Sequence, residues 1–179
     1  MNANLNQNKH NTPLWKGMIV QSSFPAELQE LNTIATNLWW TWNYEAKDLV
    51  RAIDEELWDE TKNPIQILKS ISYDRLQELS KNENFMQQYK SVLQKLNDYM
   101  SVTPKEDSAR IGYFSMEYGL DDSLKIFSGG LGILAGDYLK EASDTNTNLV
   151  AVGFLYKYGY FQQKLSIDGD QIAMYNPQN

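Results

Sequence analysis

Apolar residues recur at helical spacing through the first hundred positions. After Pro25, the residues Leu28, Leu31, Ala35, Leu38, Trp39 and Trp42 fall three and four apart, the period of one face of an α-helix. Pro25 suits a first turn, where a missing N–H breaks no helical hydrogen bond. Asn43 is placed to cap a short helix over roughly 45–54, with Glu45 in its first turn, where a carboxylate meets the positive end of the helix dipole. Asn63 and Pro64 repeat that signal ahead of Ile65, Ile67, Leu68 and Ile71. Tyr73, Leu76 and Leu79 mark another short helix. The longest stripe is Phe85, Tyr89, Val92, Leu96 and Tyr99, again on one helical face.

The period then changes. Residues 110–116, with Ile111, Tyr113 and Phe114, predict a strand. A glycine-rich turn, Ser128-Gly129-Gly130-Leu131-Gly132, runs into a helical pattern that reaches about Thr145. Residues 149–155 form a continuous apolar run, as expected of a buried parallel strand. Strand, helix, strand is a βαβ unit, whose crossover is nearly always right-handed. Residues 160–165 and 171–175 flank Asp168-Gly169, a hairpin signal. The expected fold class is α/β, with a disordered tail over 1–13, a helical segment over 14–100, a linker over 101–108 and the start of an α/β domain over 109–179. A single βαβ unit cannot cover both faces of a parallel sheet, so the chain reads as the truncated front end of a longer protein.

Composition narrows the function classes. Of 179 residues, 42% are hydrophobic, enough for most of the chain to fold. No run is long and apolar enough to span a membrane, and the polar first dozen residues lack the blocks of a signal peptide. There is no cysteine, hence no disulfide and no thiolate chemistry; the expected location is the cytoplasm. A net charge of -7 argues against a nucleic-acid binder, whose affinity comes largely from Lys and Arg on phosphates. The single histidine is His10, in the tail, which argues against a His triad or a His metal site.

The glycine turn is the first candidate for chemistry. Glycines let a ligand approach bare backbone, and the helix that follows begins with unpaired N–H groups at the positive end of its dipole. Together these favour an anion, most often a phosphate. Gly130, Gly132 and Ala135 fit the dinucleotide pattern G-x-G-x-x-A. However, about ten residues separate Met116 from the turn, and the second strand runs into Leu155-Tyr156-Lys157 rather than an acid for a ribose. No Gly-Lys-Ser/Thr follows, which excludes a P-loop. Close helix–strand packing alone would also explain the glycines.

Glu117 follows the first strand at its carboxyl end, where ligands sit in open α/β sheets. It suits an orienting contact to sugar hydroxyls or to a protonated group; the plainer alternative is a solvated strand-end residue. Asp121 and Asp122 have the same two readings, and Asp137 is better explained by the helix dipole. Trp39 and Trp42 continue the apolar stripe and belong in a core, whereas Trp40 points elsewhere, suited to a neighbouring domain. Tyr156, Tyr158, Tyr160 and Phe161 line a cleft or simply alternate on a half-buried sheet.

Three stretches carry a family resemblance. Tyr113-Phe114-Ser115-Met116-Glu117-Tyr118-Gly119-Leu120, residues 128–137 around the glycine turn, and Gly159-Tyr160-Phe161-Gln162-Gln163-Lys164 closely resemble the N-terminal domain of α-glucan (glycogen, maltodextrin, starch) phosphorylases of the shorter bacterial branch. Asn37-Leu38-Trp39-Trp40-Thr41-Trp42-Asn43 and Glu56-Leu57-Trp58 resemble the helical segment ahead of it. The resemblance runs from about Trp15 to the end. It implies the beginning of a two-domain GT-B (Rossmann-like) glycosyltransferase fold, pyridoxal 5'-phosphate as cofactor, and reversible phosphorolysis of α-1,4-glucans by inorganic phosphate to glucose 1-phosphate. It also implies a homodimer, as in many members.

By the same resemblance, Gly129, Gly130 and Leu131 would present N–H groups to the phosphate and the glucosyl unit. Gly129 and Gly130 would lie near the cofactor phosphate, Gly132 would let the helix start close by, and Glu117 would orient. Gly119 stands where animal-type members carry an aromatic. The family's cofactor lysine and most of its phosphate-binding Lys and Arg lie in a C-terminal domain absent from this chain. The 179 residues alone are therefore expected neither to hold the lysine-bound cofactor nor to turn over glucan. Two rivals remain: a glycogen or starch synthase, against which Phe127 and Ser128 stand where a lysine is expected, and a non-catalytic glucan-binding module built on the aromatic helices.

Overall fold

The computed structural model describes residues 24–104, 109–175 and 177. The expected tail over 1–13, the stretch to 23 and the second half of the expected linker, 105–108, lie outside the described residues. Six α-helices come first: α1 (Leu31–Thr36), α2 (Tyr44–Ile53), α3 (Glu55–Thr61), α4 (Pro64–Ser70), α5 (Tyr73–Lys81) and α6 (Glu83–Ser101). Then come β1 (Ile111–Phe114), α7 (Gly130–Asp144), β2 (Leu149–Val152), β3 (Gln162–Leu165) and β4 (Gln171–Met174).

Polar caps punctuate the helices. Asn43, Asp54, Asn63, Ser72 and Asn82 each accept a backbone N–H of the helix that follows, at 3.0–3.3 Å. Each cap contributes about 1 kcal/mol. The caps divide the chain into short rods. Leu28, Leu31, Ile34, Leu49, Ile67, Leu76, Val92 and Leu96 are fully buried between them. Truncating one of these leucines to alanine costs about 2–5 kcal/mol, the loss of apolar transfer plus a cavity.

The stripe from Leu28 to Trp42 is not one helix. A 3-10 turn at Ala26–Leu28 leads to α1, and a second at Leu38–Trp42 follows Asn37. Asn37 takes an extended backbone and its side chain accepts from Trp39 N–H at 3.0 Å. Three residues per turn place Trp39 and Trp42 in line. Trp40 does not face a neighbouring domain: it is 3% exposed and packs edge-on against Trp58 at 6.0 Å and 74°. The single helix expected over 45–54 is followed at once by α3, because Asp54 caps a new helix.

The βαβ expectation is met. β1 and β2 pair in parallel, from Ile111 opposite Leu149 to Phe114 opposite Val152, with α7 as crossover. Both strands are shorter than the apolar runs, and the expected burial of 149–155 does not occur. Phe114, Val150, Phe154 and Leu155 are exposed, since two strands and one helix leave most of both sheet faces uncovered. β3 and β4 form the expected antiparallel hairpin, closed by Gly169 at φ 86. A small second core holds Tyr118, Ile126 and Ala135.

Tyr99, near the end of α6, meets Trp39 at 6.0 Å with the rings tilted by 45°, and its hydroxyl donates to Asp144 Oδ1 (2.8 Å) and lies 2.6 Å from Ser143 Oγ at the end of α7. Trp42 Nε1 donates to the same Asp144 oxygen at 3.1 Å. Burial, and then the Asp144 carboxylate, push the Tyr99 hydroxyl up to about 12. No helix among the described residues is long and apolar enough to cross a membrane.

Candidate functional site

The glycine turn is built by two different demands. Gly129 has φ 76 and ψ -162, a region that side-chain-bearing residues avoid. It reverses the chain into α7 and is the N-cap, with no side chain to cap the helix. The N–H groups of Gly130, Leu131 and Gly132 therefore have no acceptor within the helix. Gly129, Gly130 and Leu131 are exposed, and a Cβ added to Gly130 would meet nothing within 4 Å. This end of α7 is open to an incoming group.

Gly132 serves packing. A Cβ there would overlap the Phe127 side chain and stand 3.0 Å from Glu117 Oε2. One turn on, a Cβ at Gly136 would overlap the Gly119 carbonyl. Gly119 N–H donates to the Gly132 carbonyl at 2.7 Å. The segment after β1 thus lies directly on α7 along a seam of glycines. The two explanations of the glycines divide by position: close packing accounts for Gly119, Gly132 and Gly136, and not for Gly130.

Glu117 is not a free strand-end carboxylate. Its Oε2 accepts Ser128 N–H at 3.1 Å and its Oε1 accepts the Tyr160 hydroxyl at 2.8 Å. Ser115 Oγ donates to the Glu117 carbonyl at 2.9 Å. The carboxylate is held between β1, the glycine turn and the segment before β3. A negative charge there complements the N-terminal end of the α7 dipole. The hydrogen bond to Glu117 holds the Tyr160 hydroxyl above its ordinary range. Glu117, Gly129, Gly130, Leu131 and Gly132 thus share one locality.

Other candidates stand apart. Asp121 accepts Ser123 N–H in a local turn at 2.9 Å. Asp137 is exposed beyond the first turn of α7, which holds no acidic residue, so it lies too far along the helix for the dipole role expected of it. Phe161 pairs with Tyr175 and Tyr156 with Phe154. Of that aromatic group, Tyr160 is the one whose hydroxyl reaches Glu117. Nothing local in the sequence signals this pairing across 43 residues. The glycine seam did leave a trace: Gly132 and Gly136, four apart, lie on one helix face.

Known proteins resemble the chain over most of its length. Residues 24–124 match a family described as a protein of unknown function (DUF3417). Maltodextrin phosphorylase of Thermococcus litoralis is 44% identical over 170 residues, 89% of this chain and 20% of that protein. Glycogen phosphorylase of Aquifex aeolicus is 46% identical over 142 residues, 77% of this chain and 20% of that one. Glycogen phosphorylase of Mycobacterium tuberculosis is 38% identical over 169 residues, 87% and 20% respectively. No solved structure matches the chain. The chain spans about one fifth of the length of these curated relatives. It belongs to the DUF3417 family and, by its similarity to these relatives, to the family of the glycogen and maltodextrin phosphorylases.

Proposed function

We propose that the chain is the N-terminal part of an α-glucan phosphorylase, contributing the start of a GT-B catalytic domain to the reversible phosphorolysis of α-1,4-glucans by inorganic phosphate. The observation that carries this reading is the open N-terminal turn of α7, uncapped at Gly129 and unobstructed at Gly130. Fixed N–H donors at a helix N-terminus suit a phosphate and the charge that develops on its oxygens during transfer. Gly129, Gly130 and Leu131 carry those donors, and Gly132 brings Glu117 alongside.

Glu117 acts as an orienting group. Both of its oxygens already accept protein hydrogen bonds, which tie it to the turn and to Tyr160. A phosphate at the turn sits beside this carboxylate, and cationic side chains from the remaining length of the enzyme balance the charge. The exposed, side-chain-free turn also fits the phosphate of pyridoxal 5'-phosphate near Gly129 and Gly130. When bound, that phosphate supplies a proton-transfer or electrostatic partner to the substrate phosphate. The cofactor lysine belongs to the part of the family's fold beyond this chain, so the 179-residue chain alone is inactive. The substrates are α-1,4-glucan and phosphate or glucose 1-phosphate, and the complete enzyme is a cytoplasmic homodimer.

The test is to incubate a full-length phosphorylase carrying this sequence with maltodextrin and inorganic phosphate and to assay glucose 1-phosphate. Release by the parent, and its loss in a folded Gly130→Val variant, is the expected outcome. No release from a folded, cofactor-loaded parent would reject the reading.

A further inference from the structure

Asp144 is a carboxylate at the C-terminal end of α7, where the helix dipole disfavours negative charge. It is nevertheless the point at which two donors from the front helices converge on one oxygen, Trp42 Nε1 at 3.1 Å and the Tyr99 hydroxyl at 2.8 Å. The Tyr99 hydroxyl also lies 2.6 Å from Ser143 Oγ, its ring is tilted against buried Trp39, and both Trp42 and Tyr99 pack against the front core. Both donors are therefore anchored in the core of the front helices. The helix stops firmly beyond them: Asn146 takes φ 52 and Thr147 N–H returns to the Ala142 carbonyl at 2.8 Å.

The rest of α7 is lightly held. Leu131, Ile133, Leu134 and Tyr138 are exposed, and its buried positions are the small residues Gly132, Ala135, Gly136 and Ala142. Between the glycine seam at its start and the Asp144 contacts at its end, Ala135 and Leu139 join the small second core and Tyr138 meets Tyr113 edge-on at 5.4 Å. An α-helix of 15 residues transmits a tilt at one end to the other, about 22 Å away.

We infer that the front helices are a positioning module for the glycine turn, acting through Trp42 and Tyr99 on Asp144. Asp144, Tyr99 and Trp42 are positioning residues that touch no substrate. Their effect on catalysis rests on the phosphate reading of the turn; their effect on the order of the turn does not.

The experiment compares amide hydrogen exchange in the 179-residue chain for Asp144→Leu, for Trp42→Phe combined with Tyr99→Phe, and for Asp144→Asn, which keeps an acceptor oxygen. Loss of the contacts speeds exchange at 133–136, the first hydrogen-bonded amides of α7, by about tenfold and leaves the amides of Leu49 and Leu96 within about twofold. Asp144→Asn behaves like the parent. Faster exchange confined to 143–147, or an Asp144→Asn variant as loose as Asp144→Leu, overturns the inference. In a full-length phosphorylase the same double variant raises KM for phosphate more than it lowers kcat. If the turn loosens and the phosphate KM does not move, the positioning role stands and the phosphate reading fails.

Discussion

The Tyr160 hydroxyl donates to Glu117 Oε1 at 2.8 Å while Ser128 N–H holds Oε2 at 3.1 Å. A residue of the segment leading into β3 thereby steadies the carboxylate that steadies the glycine turn. Tyr160→Phe removes the donor and keeps the ring. The expected result is a small loss of stability, since this hydrogen bond competes with water at an exposed position. Glu117→Ala costs more, because Ser128 N–H then loses its acceptor. Chemical denaturation of the three proteins measures both effects.

The glycines separate packing from binding. Gly136→Ala drives a methyl into the Gly119 carbonyl, and Gly132→Ala drives one into Phe127. Each should destabilise by about 1–3 kcal/mol, the usual cost of overpacking, with Gly136→Ala the worse because the obstacle is backbone. Gly130→Ala meets open space and gains helix propensity, worth up to about 1 kcal/mol. Thermal melting ranks the three. A Gly130→Ala protein that melts well below the parent would contradict the open turn.

Much of the helical architecture was legible, because Asn43, Asn63 and the stripe from Phe85 to Tyr99 are local signals that packing did not override. The βαβ unit and the hairpin were legible for the same reason. The break at Asn37 was not, since a 3-10 turn and an α-helix share an apolar spacing of three. Trp40 was misplaced by the same assumption of one continuous helix. The burial expected for 149–155 failed because an apolar run reports a strand's preference, not whether this chain supplies its cover. At the candidate site, the glycine turn and Glu117 were visible as motifs. The hydroxyls of Tyr160 and Tyr99 were not, because pairings across 43 and 45 residues leave no local pattern.

Tyr99 gives the fold a high-pH limit. Its hydroxyl ionises at about 12 in the folded protein against a usual 10.0. A raised acid pKa means that folding favours the protonated form. The stability it brings is whole below pH 10.0 and is lost as pH climbs toward 12. The melting temperature of the parent should fall over that window more steeply than that of Tyr99→Phe, which has no proton to lose there. Equal slopes would contradict the raised ionisation that burial and Asp144 together give Tyr99.

Thr41 is 6% exposed and its hydroxyl has no partner among the described residues. A buried unpaired hydroxyl costs about 1–3 kcal/mol. Thr41→Val keeps the shape and removes the polar atom, so the melting temperature should rise. A fall would show that the hydroxyl has a partner after all.

The most direct test of the phosphate reading is the KM for inorganic phosphate of a full-length phosphorylase carrying this sequence, measured beside its Gly130→Val variant at saturating maltodextrin. The side chain covers the exposed N–H groups and, given the open space at Gly130, leaves the fold intact. A rise in phosphate KM of about tenfold or more, the equivalent of about 1.4 kcal/mol, with an unchanged melting temperature, is the expected result. An unchanged phosphate KM in that folded variant would contradict a phosphate site at the start of α7.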